Sequence, residues 1–275
     1  MNHSGSSFLR GVGSYAPAQK LDNLELSQRV ETSDEWITTR TGIKERRIAG
    51  DSESTSDLAV EASRRAIADA GLRVEDVDLV IVATITPDMA FPSTACLLQH
   101  KLGIPKVACF DLEAACSGFL YALDVADGML SSGRYQCALV VGAEKLSTIM
   151  DWEDRTTCVL FGDGAGAAVL AREGEGAEML GFQCGADGSN PSLLQQPAGG
   201  SLLPASNETI ESKGHYLKMN GREIFKSAVR VMERAALELL ERHGIDKNEV
   251  SHVIPHQANA RIVESLSQRL EIPME

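Results

Sequence analysis

The sequence predicts an α/β fold, because apolar runs with the character of buried strands alternate with segments of helical periodicity. Residues 54–72 place their apolar side chains near one helical face. Residues 77–83 then form a continuous apolar run, which is typical of a strand covered on both faces. The same order recurs in a strand at 107–112, a helix at 117–130 and a strand at 137–142. This alternation indicates helices layered on a sheet.

An internal repeat is the second observation behind this fold class. The first predicted helix can be capped by Ser56 or Asp57 and is expected to stop at Gly71. Residues 70–81, which carry this glycine, an acidic turn and the buried strand, can be laid over residues 243–254 at an offset of 173 positions. The match indicates a duplicated domain, although so short a similarity also arises by chance.

The repeat sets the expected domain organisation. We predict an N-terminal half at 1–172 and a similar C-terminal half at 173–275. The counterpart of Cys116 would fall beyond Glu275, so the second half is expected to be incomplete and the chain to be part of a longer protein. The alternative is that no duplication exists and that the chain ends naturally.

Composition excludes several classes of protein. The chain has 275 residues and a formal net charge of −13, which argues against general affinity for nucleic acids or anionic membranes. Its apolar runs are too short to span a bilayer, and its first seven residues do not form an export signal, so we expect a cytoplasmic protein. Six dispersed cysteines without a C-x-x-C pair predict free thiols, with neither a disulfide framework nor a metal site.

Cys116 is the strongest candidate nucleophile. It lies where a predicted strand gives way to a helix, between the small residues Ala115 and Gly118, which leave room for a substrate. A thiol at a helix N-terminus is exposed to the positive end of the helix dipole, which favours the thiolate. Without further context, an inert buried cysteine is the more common reading, and we keep it for the other five cysteines.

His256 is the second candidate. It follows the apolar pair Val253 and Ile254, which we predict to be a strand, and ligands of open α/β sheets bind at the carboxyl ends of strands. An imidazole there can donate a hydrogen bond to a thioester oxygen or move a proton, although a structural histidine is the more common case. We expect Cys116 and His256, each at a strand end in a different half, to meet at one central site.

The remaining patterns concern glycines, cations and aromatic residues. The stretch 162–166 lacks the spacing of a nucleotide-binding motif, so we interpret its glycines as places where side chains larger than alanine would not fit. Trp36 with Arg40, one turn apart if that segment is helical, and Trp152 with Arg155 are suited to stacking on a nucleotide-bearing substrate and binding its phosphates. An exposed tryptophan can equally cap a core. Four cations spaced by four form a basic stripe, which is either a solvated face or a docking surface for an acidic carrier. They are Arg222, Lys226, Arg230 and Arg234.

Four motifs together resemble one family. They are residues 32–37 with Arg40–Ile43, residues 115–119, residues 161–167 and residues 255–259. In this order, over nearly the whole chain, they closely resemble β-ketoacyl-ACP synthase III, a condensing enzyme of the thiolase-like superfamily. The resemblance implies a layered α-β-α-β-α fold made of two similar halves, the second truncated here, and a homodimer.

The resemblance also implies a reaction without a cofactor. The Cys116 thiolate takes an acyl group from acyl-CoA, and malonyl-ACP then loses carbon dioxide and attacks the acyl-cysteine to give 3-oxoacyl-ACP. His256 resembles the histidine that hydrogen-bonds the malonyl thioester oxygen, and the backbone N–H of Cys116 resembles one oxyanion-hole donor. This reaction starts fatty acid synthesis.

Further roles follow only from the same resemblance. Trp36 and Arg155 resemble the pair that sandwiches the CoA adenine, and Arg40 is expected near the CoA phosphates. Lys226 and Arg261 match basic positions associated with ACP docking. Phe91 resembles the residue that reaches into the acyl pocket of the neighbouring subunit, and a phenylalanine there favours a short primer such as acetyl.

Two family features have no counterpart. One is the second oxyanion-hole donor, a glycine amide near the family's C-terminus, and the other is a catalytic asparagine. The third catalytic residue of the family, an asparagine in a Gly-Asn-Thr-Ser-type motif, follows the histidine motif, and Asn259 is not its substitute. We therefore expect malonyl decarboxylation by this polypeptide to be severely weakened and assign the activity to the full-length parent. Two alternatives stay open: a polyketide starter or acyltransfer enzyme of the same superfamily, and a non-catalytic protein that binds CoA or ACP.

Overall fold

A computed structural model describes residues 6–274. The chain divides into two compact units, each described by itself below. The first unit contains the residues up to 19, 47–145 and 163–182, and the second contains 20–46, 146–162 and 183 onward. Each unit is made of several separate segments of the chain. The predicted halves, 1–172 and 173–275, are continuous segments inferred from the internal repeat, and they stay a prediction.

The first unit is built on a six-stranded mixed sheet. Its strands are β1 (Phe8–Tyr15), β4 (Leu79–Ala83), β5 (Ala108–Leu112), β6 (Cys137–Lys145), β7 (Asp163–Ala171) and β8 (Ala177–Glu178), in the spatial order β5-β4-β6-β7-β1-β8. The central strand β4 is parallel to both β5 and β6, while β7 pairs antiparallel with β6 and β1. The predicted α/β fold class and the three predicted strands are confirmed.

Three helices cover this sheet and bury its apolar residues. They are α3 (Thr55–Asp69), α4 (Thr94–Leu102) and α5 (Gly118–Ser131). The α3 helix matches the predicted segment, but its N-cap is Ser54 rather than Ser56 or Asp57. The Asp57 carboxylate accepts a hydrogen bond from the Ser54 amide at 2.9 Å, which completes a capping box. The start of α3 is therefore fixed by hydrogen bonds between Ser54 and Asp57.

Asp111 connects the edge strand β5 to the start of α4. Its carboxylate accepts hydrogen bonds from the amides of Thr94 at 2.7 Å and Ala95 at 2.8 Å, and the N-cap Ser93 accepts one from the Cys96 amide at 3.3 Å. Three of the four N-terminal amides of α4 thus have side-chain acceptors, and a carboxylate is favoured at the positive end of a helix. The segment before α4 is therefore fixed.

Helix α3 lies unusually close to β1. A Cβ atom added to Gly13 would lie 2.2 Å from the carbonyl oxygen of Ala62, and one added to Gly11 would lie 2.4 Å from the amide nitrogen of Ala70. The predicted crowding at 162–166 is wrong at Gly166, where a Cβ would meet no atom within 4 Å. The close approach is on the neighbouring strand β1, because α3 packs its own backbone against the glycines there.

Gly13→Ala is expected to destabilise the first unit by about 2–3 kcal/mol, because the added methyl group forces α3 away from the sheet. Urea unfolding followed by circular dichroism measures the change. Gly166→Ala, in the facing strand β7, is the matched control and should change the stability by less than about 1 kcal/mol. Equal effects of the two substitutions would contradict the assigned close approach.

The second unit is mainly helical. It holds α1 (Asn23–Leu26), α2 (Asp34–Thr41), α6 (Asn207–Glu211), α7 (Gly221–His243) and α8 (Ala260–Leu270), and a ribbon of β9 (Leu194–Gln195) and β10 (Lys218–Met219). A further short ribbon joins β2 (Gln19–Asp22) to β3 (Glu45–Ile48). The amphipathic helix α8 buries Ile262, Leu266 and Leu270 and packs against α7 and α2.

The predicted repeat is visible locally and then ends. Gly71 after α3 and Gly244 after α7 both have φ of 65°, and 3₁₀ turns follow at Val74–Asp76 and Lys247–Glu249. The first copy continues into β4, but the strand predicted at Val253 and Ile254 is wrong. Residues 250–259 form neither helix nor strand, and Ile254 is 89% exposed. No sheet of the described residues includes this segment, so its backbone has no ladder partner.

Candidate active site

Cys116 lies at the edge of the sheet where three parallel strands end. It is in a 3₁₀ turn at Ala115–Ser117 that follows β5 and leads directly into α5. The neighbouring strands β4 and β6 run in the same direction, so their carboxyl ends meet at the same edge. The side chain of Cys116 is exposed there. This is the expected position of a nucleophile in an α/β fold.

The backbone of this turn is held in an uncommon conformation. Ala115 has φ of 45°, in the left-handed region that costs a residue with a side chain about 1–3 kcal/mol. The Ser117 amide donates to the Ala114 carbonyl at 3.1 Å. A Cβ on Gly118 would lie 3.1 Å from the Cβ of Ala83, so the absence of a side chain lets α5 begin close against β4. The tight turn and the close packing fix the position of Cys116.

The electrostatics of Cys116 differ from the prediction. We expected the helix N-terminus to favour the thiolate, but loss of hydration to the surrounding protein raises the pKa of the Cys116 thiol. The negative charge of Glu144 raises this pKa further, and a backbone hydrogen bond only partly opposes the effect. The thiol form therefore prevails at neutral pH, because desolvation and a nearby anion both disfavour a second anion.

Alkylation of Cys116 by iodoacetamide is expected to accelerate with pH beyond the range of an ordinary thiol, whose pKa is about 8.5. Only the thiolate reacts, so a raised pKa moves the midpoint of the rate profile to higher pH. Peptide mass mapping at successive pH values measures the profile, with the urea-denatured chain as reference. A midpoint in the folded protein below that of the denatured chain would contradict the raised pKa.

Trp36 is the centre of a cationic cluster in the second unit. The Ser33 side chain caps α2 by accepting a hydrogen bond from the Trp36 amide at 3.1 Å. The guanidinium of Arg40 lies 4.5 Å from the centre of the Trp36 ring, and that of Arg155 lies 5.4 Å from it. Arg155 also donates to the carbonyl of Glu31 at 2.8 Å. The structure thus brings together the three residues expected to bind CoA.

A buried arginine holds this helix in place and is absent from the predicted site. Arg46 is 3% exposed, and its guanidinium donates to the Val159 carbonyl at 2.6 and 3.0 Å and to the Asn23 side chain at 2.6 Å. Asn23 in turn donates to Asp34 at 2.8 Å and to the carbonyl of Ile43 at 2.9 Å. The signal in the sequence is weak, because nothing local distinguishes Arg46 from a surface arginine.

His256 lies in the irregular segment before α8, with its side chain exposed. Partial loss of hydration lowers the pKa of His256, so the neutral imidazole is favoured at pH 7. A neutral ring has one N–H donor and one acceptor nitrogen. Asn259, in the same motif, is the N-cap of α8 and accepts a hydrogen bond from the Ile262 amide at 3.0 Å. Its role is therefore to start the helix.

The basic residues assigned to a carrier protein are on the surface. The predicted stripe lies on an exposed face of α7, where Lys226 forms an ion pair with Glu223 at 3.0 Å. Arg261, also exposed, donates to the carbonyl of Thr39 in α2 at 3.4 Å, which places it beside the helix that carries Trp36. These cations are accessible to an anionic partner.

Phe91 lies in the loop between β4 and α4 and is 84% exposed. Met89, in the same loop, is also exposed. Such exposed apolar residues are typical of contact surfaces.

Within the described residues, no cluster of acidic, histidine and cysteine side chains is suited to hold a metal ion. No helix in residues 6–274 is long and apolar enough to cross a membrane.

Cys116 belongs to the first unit and His256 to the second. Their expected meeting at one site stays a prediction. Glu144, whose charge acts on the pKa of Cys116, is a site residue that the sequence analysis missed. The sequence feature that could have identified Glu144 is its position as a charged residue at the end of the apolar run 137–143.

Sequence comparison shows which proteins share these features. Residues 110–188 match a family model described as 3-oxoacyl-ACP synthase III, and residues 240–275 match the model of the C-terminal part of the same family. The chain is 55% identical over 262 residues to beta-ketoacyl-ACP synthase III of Caldanaerobacter subterraneus subsp. tengcongensis, an alignment that covers 95% of this chain and 79% of the relative.

Solved structures show the same similarity. The crystal structure of 3-oxoacyl-ACP synthase III from Aquifex aeolicus VF5 superposes with a TM-score of 0.88 at 49% identity, over 97% of this chain and 82% of that one. The priming beta-ketosynthase of the R1128 polyketide pathway superposes with a TM-score of 0.86 at 37% identity, over 97% of this chain and 79% of that one.

Proposed function

The chain belongs to the β-ketoacyl-ACP synthase III family of condensing acyltransferases, and from this premise we propose how its residues carry out the condensation that initiates fatty acid synthesis. The substrates are a short acyl-CoA and malonyl-ACP, and the product is 3-oxoacyl-ACP. The observation that carries the proposal is the position of Cys116 in the turn at the carboxyl edge of β4, β5 and β6. A cytoplasmic location remains part of the proposal.

The first half of the reaction is acyl transfer to sulfur. The Cys116 thiolate attacks the carbonyl carbon of acyl-CoA, and the backbone N–H of Cys116 donates to the oxyanion that forms. The carbon–sulfur bond to CoA then breaks, CoA leaves as a thiolate that takes up a proton, and the acyl group stays as a thioester on Cys116. Because loss of hydration to the surrounding protein raises the pKa of the Cys116 thiol, its deprotonation is part of the barrier.

The second half is decarboxylative condensation. Malonyl-ACP loses carbon dioxide, and its thioester oxygen takes up the enolate charge while His256 donates a hydrogen bond to it. The lowered pKa of His256 suits this role, because a neutral imidazole donates a hydrogen bond without carrying a charge of its own. The enolate carbon attacks the acyl-cysteine, a carbon–carbon bond forms, and the Cys116 thiolate leaves to regenerate the enzyme.

CoA is bound by the Trp36 cluster in this proposal. Arg155 lies directly over the Trp36 ring, so an adenine sandwiched between them requires Arg155 to swing outward and to give up its hydrogen bond to the Glu31 carbonyl. Arg40, on the same helix as Trp36, then offers its guanidinium to the CoA phosphates. Separating Arg155 from the Trp36 ring costs free energy, which the contacts with the adenine must offset.

Trp36→Ala is expected to raise KM for acetyl-CoA by about tenfold, because stacking a base on an aromatic ring contributes about 1–3 kcal/mol. We expect kcat to change little, since the adenine is at the opposite end of the CoA molecule from the transferred acyl group. Steady-state kinetics with malonyl-ACP saturating measures both. Trp36→Phe, which keeps an aromatic face, should recover part of the loss, and an unchanged KM in Trp36→Ala would contradict the assigned adenine site.

The carrier protein and a second copy of the chain complete the proposal. Lys226 and Arg261 are exposed cations suited to the acidic surface of ACP, and on a chain with an overall net charge of −13 an acidic partner is expected to dock at such local basic sites. A homodimer is supported by β5, an edge strand with backbone groups available to a partner strand, and by the exposed side chain of Phe91. No cofactor is required for any step.

Incubation with labelled acetyl-CoA and malonyl-ACP tests the function. We expect one acetyl group on Cys116, found by intact mass and peptide mapping, and 3-oxobutyryl-ACP as product. The same assay measures the expected weakening of decarboxylation. A panel of acyl-CoA primers and acceptors then separates this activity from that of a polyketide starter enzyme, which the similarity to the R1128 priming ketosynthase favours as second candidate. Binding of CoA without acylation of any cysteine would leave only the non-catalytic alternative.

A further inference from the structure

Glu144 is a carboxylate that the proposed mechanism does not use. It follows the apolar run of β6 and accepts three hydrogen bonds from the turn after β4. The Ile85 amide donates to Oε1 at 2.9 Å, and the hydroxyls of Thr86 and Thr84 donate to Oε2 at 2.5 and 3.3 Å. All three of these partners are neutral. The carboxylate thus ties the end of one strand to the turn that follows its neighbour.

The threonines extend this network. The Thr86 hydroxyl oxygen also accepts a hydrogen bond from the Lys145 amide at 2.9 Å, and the Thr84 hydroxyl oxygen accepts one from the Thr86 amide at 3.1 Å. Both threonines are buried. Burial raises the pKa of Glu144, and the hydrogen bonds from Thr86, Ile85 and Thr84 only partly offset this effect. We refer to Glu144, Thr84 and Thr86 as the strand-end clamp.

The clamp lies at the same sheet edge as Cys116. The Thr84 amide continues the β4 ladder by donating to the carbonyl of Leu112, the last residue of β5, at 3.2 Å. The turn with Cys116 begins after the two residues that follow β5, and Gly118, the first residue of α5, packs close to Ala83. A displacement of residues 84–86 therefore changes the surroundings of the acylated sulfur.

The loop that carries Phe91 is attached at several points, of which the clamp is one. The Thr55 hydroxyl also donates a hydrogen bond to the Thr86 carbonyl at 2.5 Å. Farther along the loop, Asp88 accepts hydrogen bonds from the amide and hydroxyl of Ser56 at 2.8 and 2.6 Å. At its far end, Asp111 holds the amides of Thr94 and Ala95. Glu144 holds the beginning of the loop, at Ile85 and Thr86, just after β4.

We propose that Glu144 is a positioning residue that sets primer selectivity, by holding the turn 84–86 beside Cys116 and with it the loop that presents Phe91. This inference rests on the proposed function. A negative charge near Cys116 opposes formation of its thiolate, so it gives no advantage to the acylation step. The advantage lies in the hydrogen-bond geometry, which a carboxylate provides with two acceptor oxygens.

Two substitutions separate geometry from charge. Glu144→Gln keeps an oxygen for the Ile85 amide and supplies an N–H donor for the threonine oxygens, whereas Glu144→Ala removes the three hydrogen bonds that the carboxylate accepts. We expect Glu144→Ala to change the ratio of kcat/KM for acetyl-CoA over butyryl-CoA by about tenfold, while KM for malonyl-ACP is unchanged. Glu144→Gln should keep the wild-type ratio. Glu75→Ala is the control, because it removes a carboxylate near the other end of β4, and it should leave the primer ratio unchanged.

Variants of Thr86 test the same inference if Glu144→Ala does not fold. Thr86→Val replaces the hydroxyl by a methyl group and should shift the primer ratio in the same direction, while Thr86→Ser retains the hydroxyl and should keep the wild-type ratio. A uniform loss of kcat/KM for all primers in these variants, or an unchanged ratio, would overturn the inference. Failure of the proposed function itself is distinguishable, because the wild-type protein would then form no acyl-cysteine with any primer.

Discussion

Replacing Cys116 by alanine is expected to abolish acylation and to lower condensation by a factor on the order of 10⁴ or more, as for other enzymes that lose their nucleophile. The turn places the Cys116 thiol at the edge where β4, β5 and β6 end, so its loss removes the proposed nucleophile. Intact mass after incubation with acetyl-CoA measures the acyl-enzyme, and release of CoA measures turnover.

Cys96→Ala is the matched control for this substitution. Cys96 is also an exposed thiol, and it lies in α4, which follows the loop with Phe91. It should acylate and turn over like the wild-type protein. An acetyl group that persists in Cys116→Ala, or that disappears in Cys96→Ala, would place the nucleophile elsewhere.

Replacing His256 by alanine is expected to separate the two half-reactions. Loss of one hydrogen-bond donor to a developing oxyanion lowers kcat by about 10²–10³-fold, so release of carbon dioxide from malonyl-ACP should fall by this factor. Acylation of Cys116 by acetyl-CoA should continue, because that step does not require an enolate. Single-turnover acylation and steady-state decarboxylation, measured on the same preparation, give the two values.

His252→Ala controls for changes in the irregular segment. His252 lies four residues before His256, and both side chains are exposed. The control should keep both half-reactions. Equal loss of acylation and decarboxylation in His256→Ala would indicate a structural role for this histidine and would remove it from the proposed mechanism.

Elements with a strong local pattern could be predicted from the sequence. The helix at 54–72 and the strands near 77–83 and 137–142 have regular apolar periodicity, and burial against their own neighbours stabilises them. The contact between Trp36 and Arg40 was equally accessible, because residues four apart share a helical face. Spacing alone therefore indicates two of the three residues of the proposed CoA site, Trp36 and Arg40.

Features that depend on distant partners could not be predicted. Val253 and Ile254 have strand propensity, but a strand needs a neighbour for its backbone groups, and spacing along the chain does not reveal one. The pKa of Cys116 was predicted in the wrong direction, because Glu144 and the protein that desolvates the thiol are remote in sequence. The contact between Arg46 and Val159 spans 113 positions and has no local signature.

Asp111 gives the edge strand a safeguard against mispairing. Slippage of β5 by one residue would turn this side chain to the opposite face of the sheet and leave the first amides of α4 without their acceptor. An incorrectly aligned strand would thus fray a helix as well as lose its own ladder. Open edges are where folded proteins begin to aggregate, and here the penalty for an adventitious partner strand includes part of the adjoining helix.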